Sequence, residues 1–280
     1  RVPEHRPEHD VVVPPRVPRG VLAVGEGVLA GESTVLRPGT EVAIIILALA
    51  TLAALYYLGG RPSGRWALFI AGSTRQEVID THALQPGAIC NNAPFAYPTY
   101  GVPLGLWDQS YRFGHRHAGV DIFPGGEVGE TPIYAVYPGY LTRHEDWTST
   151  VIIRLPSDPL NPGRQIWVYY THMADQQGNS FISEAFPPGT EEVFVEAGTV
   201  LGYIGNYSGE PGNPTGLHLH ISVVKDDGEG GFLNELEIAN TYDPTPYFNL
   251  PFNHNTNPDD FPACAGEVSY ANWAPEAADE

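Results

Sequence analysis

The sequence predicts an all-β fold: an antiparallel β-sheet or sandwich preceded by a single transmembrane or signal-anchor helix. Glycine and proline are frequent, with 31 and 27 of the 280 residues, and such punctuation is typical of short strands joined by many turns. From residue 90 onward the chain consists of short apolar or alternating runs separated by turn residues. These runs have the length and pattern of strands, and no convincing helix lies among them.

The predicted strands follow one another from residue 132 to residue 224. The runs are PIYAVYPGYLTRH (two strands around a Pro-Gly turn), TVIIRL, QIWVYYTHM, EVFVEAGTVLGYIGN and LHLHISVV. The segment PSDPLNPGR between TVIIRL and QIWVYYTHM predicts a hairpin loop. Seven or so strands in this order favour an antiparallel fold.

Residues 42–58, VAIIILALATLAALYYL, form an uncharged stretch of seventeen residues. As a helix rising about 1.5 Å per residue it is about 26 Å long, near the short end for a bilayer crossing. Tyr56, Tyr57 and Trp66 lie where interfacial aromatic residues are expected. We therefore expect this segment to bind the membrane as an anchor. A cleaved signal peptide and a buried core helix are the alternatives.

Composition sets the other boundaries. We predict a flexible N-terminal tail at residues 1–41 and a stalk or linker at 59–89. The folded domain is predicted at 90–264, and an acidic C-terminal tail at 265–280. Within the stalk, TRQEVIDTHAL carries a threonine at 74 and a glutamate at 77 in capping-box spacing. This spacing predicts a short helix.

The net charge of −19 belongs to the second part of the chain. Residues 1–89 contain eight basic and eight acidic residues, which leaves six basic and twenty-five acidic residues in 90–280. Phosphate binding needs clustered lysine and arginine. The composition therefore excludes a nucleic-acid-binding surface.

The two cysteines, Cys90 and Cys264, stand at the edges of the predicted domain. Because no third cysteine competes, we expect a disulfide that ties the ends of the domain together, with Cα atoms within about 7 Å. Such a bridge indicates an oxidising compartment. Two free buried thiols are the alternative.

Histidine and aspartate recur in three short segments. HRHAGVDI contains His117 and Asp121, YYTHM contains His172, and TGLHLHISVV contains His218 and His220. Alternate residues of a strand share a face, so the last two rings point the same way. A catalytic zinc takes three protein ligands and leaves the fourth position for water. The first pair and one histidine of the 218/220 pair would form such a set, which leaves two histidines for acid–base or oxyanion roles.

The segments HAGVD, YTHM and GLHLH, in this order and at this spacing, resemble the motifs of the lysostaphin/LytM-type zinc metalloendopeptidases. AGTVLGYIGN (197–206) and DPTPYF (243–248) are similar to two further segments of that family, so the resemblance covers about residues 90–250. It implies an antiparallel duplicated hybrid motif fold with a groove over zinc. It also implies that 90–264 is a peptidase domain that cleaves peptide stems or cross-bridges of bacterial peptidoglycan.

The resemblance also implies roles for individual residues. One Zn²⁺ per domain would be held by His117, Asp121 and His220. His172 and His218 would be the catalytic pair. Tyr111 stands where some relatives have an active-site tyrosine.

Three departures from the family pattern concern the groove. The insertion YSGEPGNP lengthens the link before the last motif, and the segment from Ala174 to Val193 is long. Ser222 stands where a glutamate often follows the second histidine of the pair. His115 and His144 match no motif position, and we interpret them as surface or turn histidines.

A wall-cutting domain must lie outside the cytoplasm, either anchored to the membrane or secreted. The cysteines agree with this location, whereas Arg61, Arg65 and Arg75 oppose it under the positive-inside rule. We expect an external catalytic domain. The alternatives are a non-catalytic peptidoglycan-binding or hydrolase-activating module on the same fold and a zinc carboxypeptidase. The complete set of ligand and catalytic positions favours an enzyme over a binding module.

Overall fold

A computed structural model of the chain describes residues 46–47, 64–109, 116–250, 261, 264 and 266–275. The chain divides into two compact units, 1–55 and 56–280. In the first unit only the helical residues 46–47 are described. Among the described residues no helix has the length and apolar character needed to cross a bilayer. The predicted tail and, apart from residues 46–47, the predicted membrane span at 42–58 lie outside them.

Two helices begin the described part of the second unit: α1, Gly64–Thr74, and α2, Gln76–His82. The second helix confirms the short helix predicted in TRQEVIDTHAL, but the predicted capping box is wrong. Thr74 ends α1, and its hydroxyl donates to the Ile70 carbonyl at 2.5 Å. The N-cap of α2 is Arg75, which makes no side-chain capping bond. A threonine hydroxyl inside a helix finds the carbonyl one turn back, so it is not available as a cap.

The segment predicted as a stalk packs against the sheet. Ile79 of α2 is 1% exposed and lies in a small apolar cluster with Val102, Leu104 and Phe123. Phe69 of α1 meets Phe123 edge to face, with ring centroids 5.5 Å apart. Burial of these side chains gives the helices a fixed place on the domain.

The described residues form twelve strands. They are β1 Ala88–Cys90, β2 Val102–Leu104, β3 Val120–Phe123, β4 Pro132–Tyr134, β5 Gly139–Arg143, β6 Val151–Leu155, β7 Ile166–Thr171, β8 Thr190–Val195, β9 Val200–Tyr203, β10 Leu219–Lys225, β11 Thr241–Tyr242 and β12 Val268–Tyr270. Their pairings are antiparallel. In the described part of the chain after Cys90, the helical turns are two 3₁₀ helices, Ile238–Asn240 and Thr245–Phe248. The predicted all-β, antiparallel class is confirmed for these residues.

A central sheet of eight strands has the order β2-β3-β10-β7-β6-β5-β8, and β11 also pairs with β10. The predicted hairpin connects β6 and β7, which pair with each other. The two strands predicted around the Pro-Gly turn are β4 and β5, but β4 pairs with β9 in a separate two-stranded sheet. A Pro-Gly turn therefore marks a strand boundary here without making a hairpin.

The central sheet has one apolar face and one polar face near its middle. On β10, Ile221 and Val223 are fully buried in the main core. His220 and Ser222 alternate with them and point to the other side, as the pleat of a strand requires. One strand therefore supplies both core packing and the histidine face that the sequence predicts.

The two edges of the domain meet in a second small sheet. β1 pairs with β12, and a disulfide joins Cys90 to Cys264 with a Cα–Cα distance of 5.2 Å. This confirms the predicted bridge. Trp273, from the segment predicted as an acidic tail, packs against Tyr134 with ring centroids 5.3 Å apart.

We expect the bridge to contribute strongly to stability. Replacing both cysteines in a Cys90→Ala/Cys264→Ala variant should lower the free energy of unfolding by up to about 5 kcal/mol in the chain-entropy model, because the bridge joins residues 174 apart. Urea unfolding of the full chain measures the change, and reduced wild-type protein is the control. Equal stability of oxidised, reduced and variant protein, or two free thiols in non-reducing mass mapping, would contradict the assignment.

Candidate metal centre

The pairing of β3 with β10 sets Asp121 directly opposite His220. Gly119, at the approach to β3, makes this contact possible. A Cβ atom there would lie 2.4 Å from the Ile221 carbonyl oxygen and 2.8 Å from both His220 Nε2 and Ser222 Oγ. The glycine in HAGVD is therefore a close-approach residue, which no side chain could replace without moving the strands apart.

Three ligand atoms converge at this point. Nε2 of His117 lies 3.0 Å from Oδ1 of Asp121 and 3.0 Å from Nδ1 of His220. Nδ1 of His220 lies 2.9 Å from the same Oδ1. The two rings and the carboxylate are at most one-sixth exposed. They form a buried triangle of nitrogen and oxygen donors that could hold a metal ion.

The donor set suits zinc. Zinc bonds of about 2.0–2.1 Å in a tetrahedral site place neighbouring ligand atoms about 3.3–3.4 Å apart. The observed separations are slightly shorter and would need only a small expansion. Three protein ligands from histidine and aspartate, with a fourth position left open, match the pattern of catalytic zinc sites.

The outer nitrogens of the two ligand rings are also held. Nδ1–H of His117 donates to the Leu106 carbonyl at 3.1 Å, which leaves its Nε2 lone pair toward the triangle. Nε2 of His220 shares a hydrogen bond of 2.8 Å with the hydroxyl of Ser222, which is fully buried. Hydrogen bonds of this kind orient metal-binding imidazoles and fix their tautomers.

Gly105 lies against the carboxylate of Asp121. Its φ of +57° lies in the left-handed region, and its carbonyl accepts the backbone N–H of Asp121 at 3.0 Å. A Cβ atom at this position would lie 2.4 Å from Oδ2 of Asp121. Both the backbone conformation and the close contact require glycine.

Electrostatics favour the metal-binding forms of two ligands. Burial raises the pKa of Asp121, but His117 and His218 outweigh it and hold the pKa of this carboxyl well below its usual value. Burial lowers the pKa of His220, so its imidazole is neutral at neutral pH. Burial also lowers the pKa of His117, but the adjacent Asp121 carboxylate raises it by more, so the net effect is an increase in the pKa. A bound cation would replace that proton, because metal ligands bind in their deprotonated forms.

Two more histidines stand beside the triangle. Nδ1–H of His172 donates to the Tyr207 carbonyl at 2.6 Å, and Nδ1–H of His218 donates to the Gly216 carbonyl at 2.7 Å. Their ring centroids are 4.5 Å apart. These bonds leave Nε2 of each ring available for another partner, and Nε2 of His218 lies 3.5 Å from Oδ1 of Asp121.

His172 has two features typical of functional residues. Burial, followed by the electrostatic effect of the neighbouring His218 and His220, lowers its pKa to about 3. Its φ of +75° is unusual for a residue other than glycine. Backbone strain of this kind is concentrated at functional sites, and a neutral imidazole can act as a proton acceptor.

The structure thus brings five of the residues singled out in the sequence to one place. Tyr111 and His115 lie outside the described residues. His144 lies in the loop after β5, where its ring meets Trp147 edge to face at 4.4 Å. Sequence reasoning did not find Gly105, and it treated Ser222 as a departure from a family pattern although its hydroxyl contacts a ligand ring.

No family model matches the chain, and no curated protein matches it. Solved structures similar to it include a protein described as an M23 peptidase from Pseudomonas aeruginosa (24% identity, TM-score 0.32), of which the chain covers 54% while 59% of the chain is covered. Another is the catalytic domain of lysostaphin from Staphylococcus simulans, at 21% identity and a TM-score of 0.32, where the match covers 57% of this chain and 94% of that one. A third is a catalytic-domain variant of the prophage-encoded M23 protein EnpA from Enterococcus faecalis, at 25% identity and a TM-score of 0.32, where the match covers 51% of this chain and 94% of that one.

These structures are M23 and lysostaphin peptidases, the kind of protein that the three sequence motifs resemble. The chain spans about half the length of the Pseudomonas aeruginosa protein.

The hydroxyl of Ser222 should strengthen metal binding at His220. A Ser222→Ala variant should bind Zn²⁺ about 10–100-fold more weakly, the usual effect of losing a hydrogen bond to a ligating imidazole. Competition with a chromogenic chelator measures the affinity without any need for activity.

Thr99→Val is the matched control, because Thr99 is also fully buried and its hydroxyl donates to the Pro132 carbonyl at 2.7 Å. This control should lose stability but keep its zinc affinity. Equal zinc affinity in wild-type and Ser222→Ala protein would show that the hydroxyl has no such role.

Proposed function

We propose that this protein is a lysostaphin/LytM-type zinc metalloendopeptidase that cleaves the peptide stems or cross-bridges of bacterial peptidoglycan. The observation that carries the proposal is the arrangement of two groups of side chains. Three buried donors converge within 3.0 Å of one another, and two histidines, each held by a hydrogen bond from its Nδ1–H to a backbone carbonyl, stand beside them. A binding module has no use for such a pair of proton acceptors.

In this proposal His117, Asp121 and His220 hold one Zn²⁺. The ion, when bound, would supply a Lewis acid and a water with a pKa lowered toward about 7. The protein contributes the orientation of the ligands: the Leu106 carbonyl and the Ser222 hydroxyl hold the two imidazoles in place.

His172 and His218 supply the proton chemistry. The carbonyls of Tyr207 and Gly216 hold each ring by its Nδ1–H, so Nε2 of either ring can accept a proton from an attacking water. Once protonated, a ring can donate to the developing oxyanion of the peptide carbonyl. The stacking of His218 on Phe123, with centroids 5.1 Å apart, restricts its movement.

We place the domain outside the cytoplasm, anchored to the cell surface or secreted. The Cys90–Cys264 bridge supports an oxidising compartment. The membrane anchor at 42–58 stays a prediction, as does the contribution of Tyr111 to the site.

The direct test is digestion of isolated bacterial cell walls by the full chain. Protein produced without added metal should contain close to one zinc per chain, and it should release peptide fragments whose masses identify the bond. A chelator should stop the release, and added Zn²⁺ should restore it. Release by protein that holds no zinc, or no release from walls by zinc-loaded protein, would overturn the proposal.

Substitutions should separate the ligands from the catalytic pair. His117→Ala, Asp121→Ala and His220→Ala should lose both zinc and activity, because two remaining ligands rarely retain zinc against buffer. His172→Ala and His218→Ala should keep zinc while turnover falls by ~10²–10⁴, the usual size of a lost acid–base or oxyanion contribution.

Elemental analysis and wall digestion on the same samples give both readouts. His82→Ala, which removes an exposed histidine at the end of α2, is the control and should keep zinc and activity. If His218→Ala released the metal while His220→Ala retained it, the two roles would be reversed.

A further inference from the structure

The face of the central sheet that carries the metal centre continues along β7 and β10. Thr171 pairs with His220, Tyr169 with Ser222, and Trp167 with the residue two places further along β10. Successive residues on one face of a strand are about 6.8 Å apart. The face therefore extends from the metal centre in steps of about 7 Å, first to Tyr169 and then to Trp167.

Two loops meet above this face. Trp147 lies in the loop between β5 and β6, and Phe232 lies in the loop that follows β10. Their ring centroids are 5.9 Å apart. Trp147 packs on Tyr169 at 5.9 Å, and Phe232 packs on Trp167 at 5.3 Å. We call Trp147 and Phe232 together the aromatic cover.

The aromatic cover excludes solvent from the sheet beneath it. Ile152 and Val224, on the same face of their strands, are fully buried, and Trp167 is only 4% exposed. Glu235, from the same loop as Phe232, lies beside Tyr169, and burial raises the pKa of its carboxyl. The covered region thus begins at Tyr169, one step from the metal centre.

Hydrogen bonds hold each side of the cover in place. On one side the guanidinium of Arg143, itself 6% exposed, donates to the carbonyls of Trp147 at 3.1 Å and Phe186 at 2.8 Å. On the other side Asp226 accepts the indole N–H of Trp167 at 3.1 Å, and its backbone bridges to Phe232. The cover is therefore part of the folded domain and is not a free loop tip.

We propose that the aromatic cover ends the substrate groove on this side of the metal centre, so that only about two substrate residues fit between the scissile bond and the cover. An extended peptide spans about 3.3–3.6 Å per residue, so a space of about 7 Å admits two. This inference rests on the proposed peptidase function. It specifies the substrate as a peptide with a short end on one side of the cut, in preference to the middle of a long chain.

A peptide series around the bond identified in wall digests tests the limit. Synthetic peptides carry one to five residues on one side of that bond and a constant length on the other. On one of the two sides, kcat/KM of the zinc-loaded full chain should fall at least about tenfold beyond two residues, since a misfit of even one methylene in a binding pocket changes it ~10–200-fold. On the opposite side, added residues should have little effect.

Two substitutions in separate loops should remove the limit. Trp147→Ala and Phe232→Ala should each bring kcat/KM for long peptides close to the value for short ones, while zinc content stays at the wild-type level. Trp147→Phe keeps a ring in the cover and should preserve the limit. Because the two alanine variants alter different loops, failure of one to fold leaves the other as the test.

A second readout does not depend on turnover. Fluorescence anisotropy of labelled peptides on chelator-treated protein should show weaker binding beyond the same length, and this difference should disappear in Phe232→Ala. Equal cleavage or equal binding of short and long peptides by wild-type protein would overturn the inference. That result would leave the proposed function intact, because wall digestion by the same protein tests that function separately.

Discussion

The antiparallel contact between β3 and β10 is the interaction on which the candidate metal centre depends. It joins Asp121 to a histidine 99 residues later in the chain, with 2.9 Å between their polar atoms. The contact requires Gly119, because any side chain there would meet the backbone and the polar side chains of β10. A small change in the separation of these strands would spread the donor triangle, and a metal site tolerates only a few tenths of an ångström.

Apolar packing on the opposite face of the same strands offsets part of the free energy needed to bury this polar group. Burying two imidazoles and a carboxylate in close contact is unfavourable without a cation or shared protons among them. On β10, Ile221 and Val223 are completely buried in the main core and offset part of that cost. Apolar residues on one face thus keep the polar residues on the other in a preorganised position.

The regions around the sheet determine access to the centre. The helices α1 and α2 pack on the edge formed by β2 and β3, and the bridge at Cys90 ties the two ends of the domain together. The aromatic cover lies over the opposite part of the sheet, above β7. These elements shield the parts of the sheet on either side of the candidate metal centre. Substrate choice would then depend on loops, whereas the chemistry would depend on strands.

The sequence alone determined the fold class, the positions of β4–β10, the disulfide and the group of five histidine and aspartate positions. These features follow from local signals: alternation, turn residues, two cysteines and short motifs. The capping box at Thr74 was wrong because the end of α1 decided which acceptor its hydroxyl met.

Only the tertiary structure decided how these positions meet. It set His220 opposite Asp121, brought the Ser222 hydroxyl to the ligand ring and placed Phe232 against Trp147. Each of these contacts depends on the register of strands far apart in the chain, or on loops from different parts of it. A pattern along the chain records which face a residue occupies, but the distance between two faces is set by packing in three dimensions.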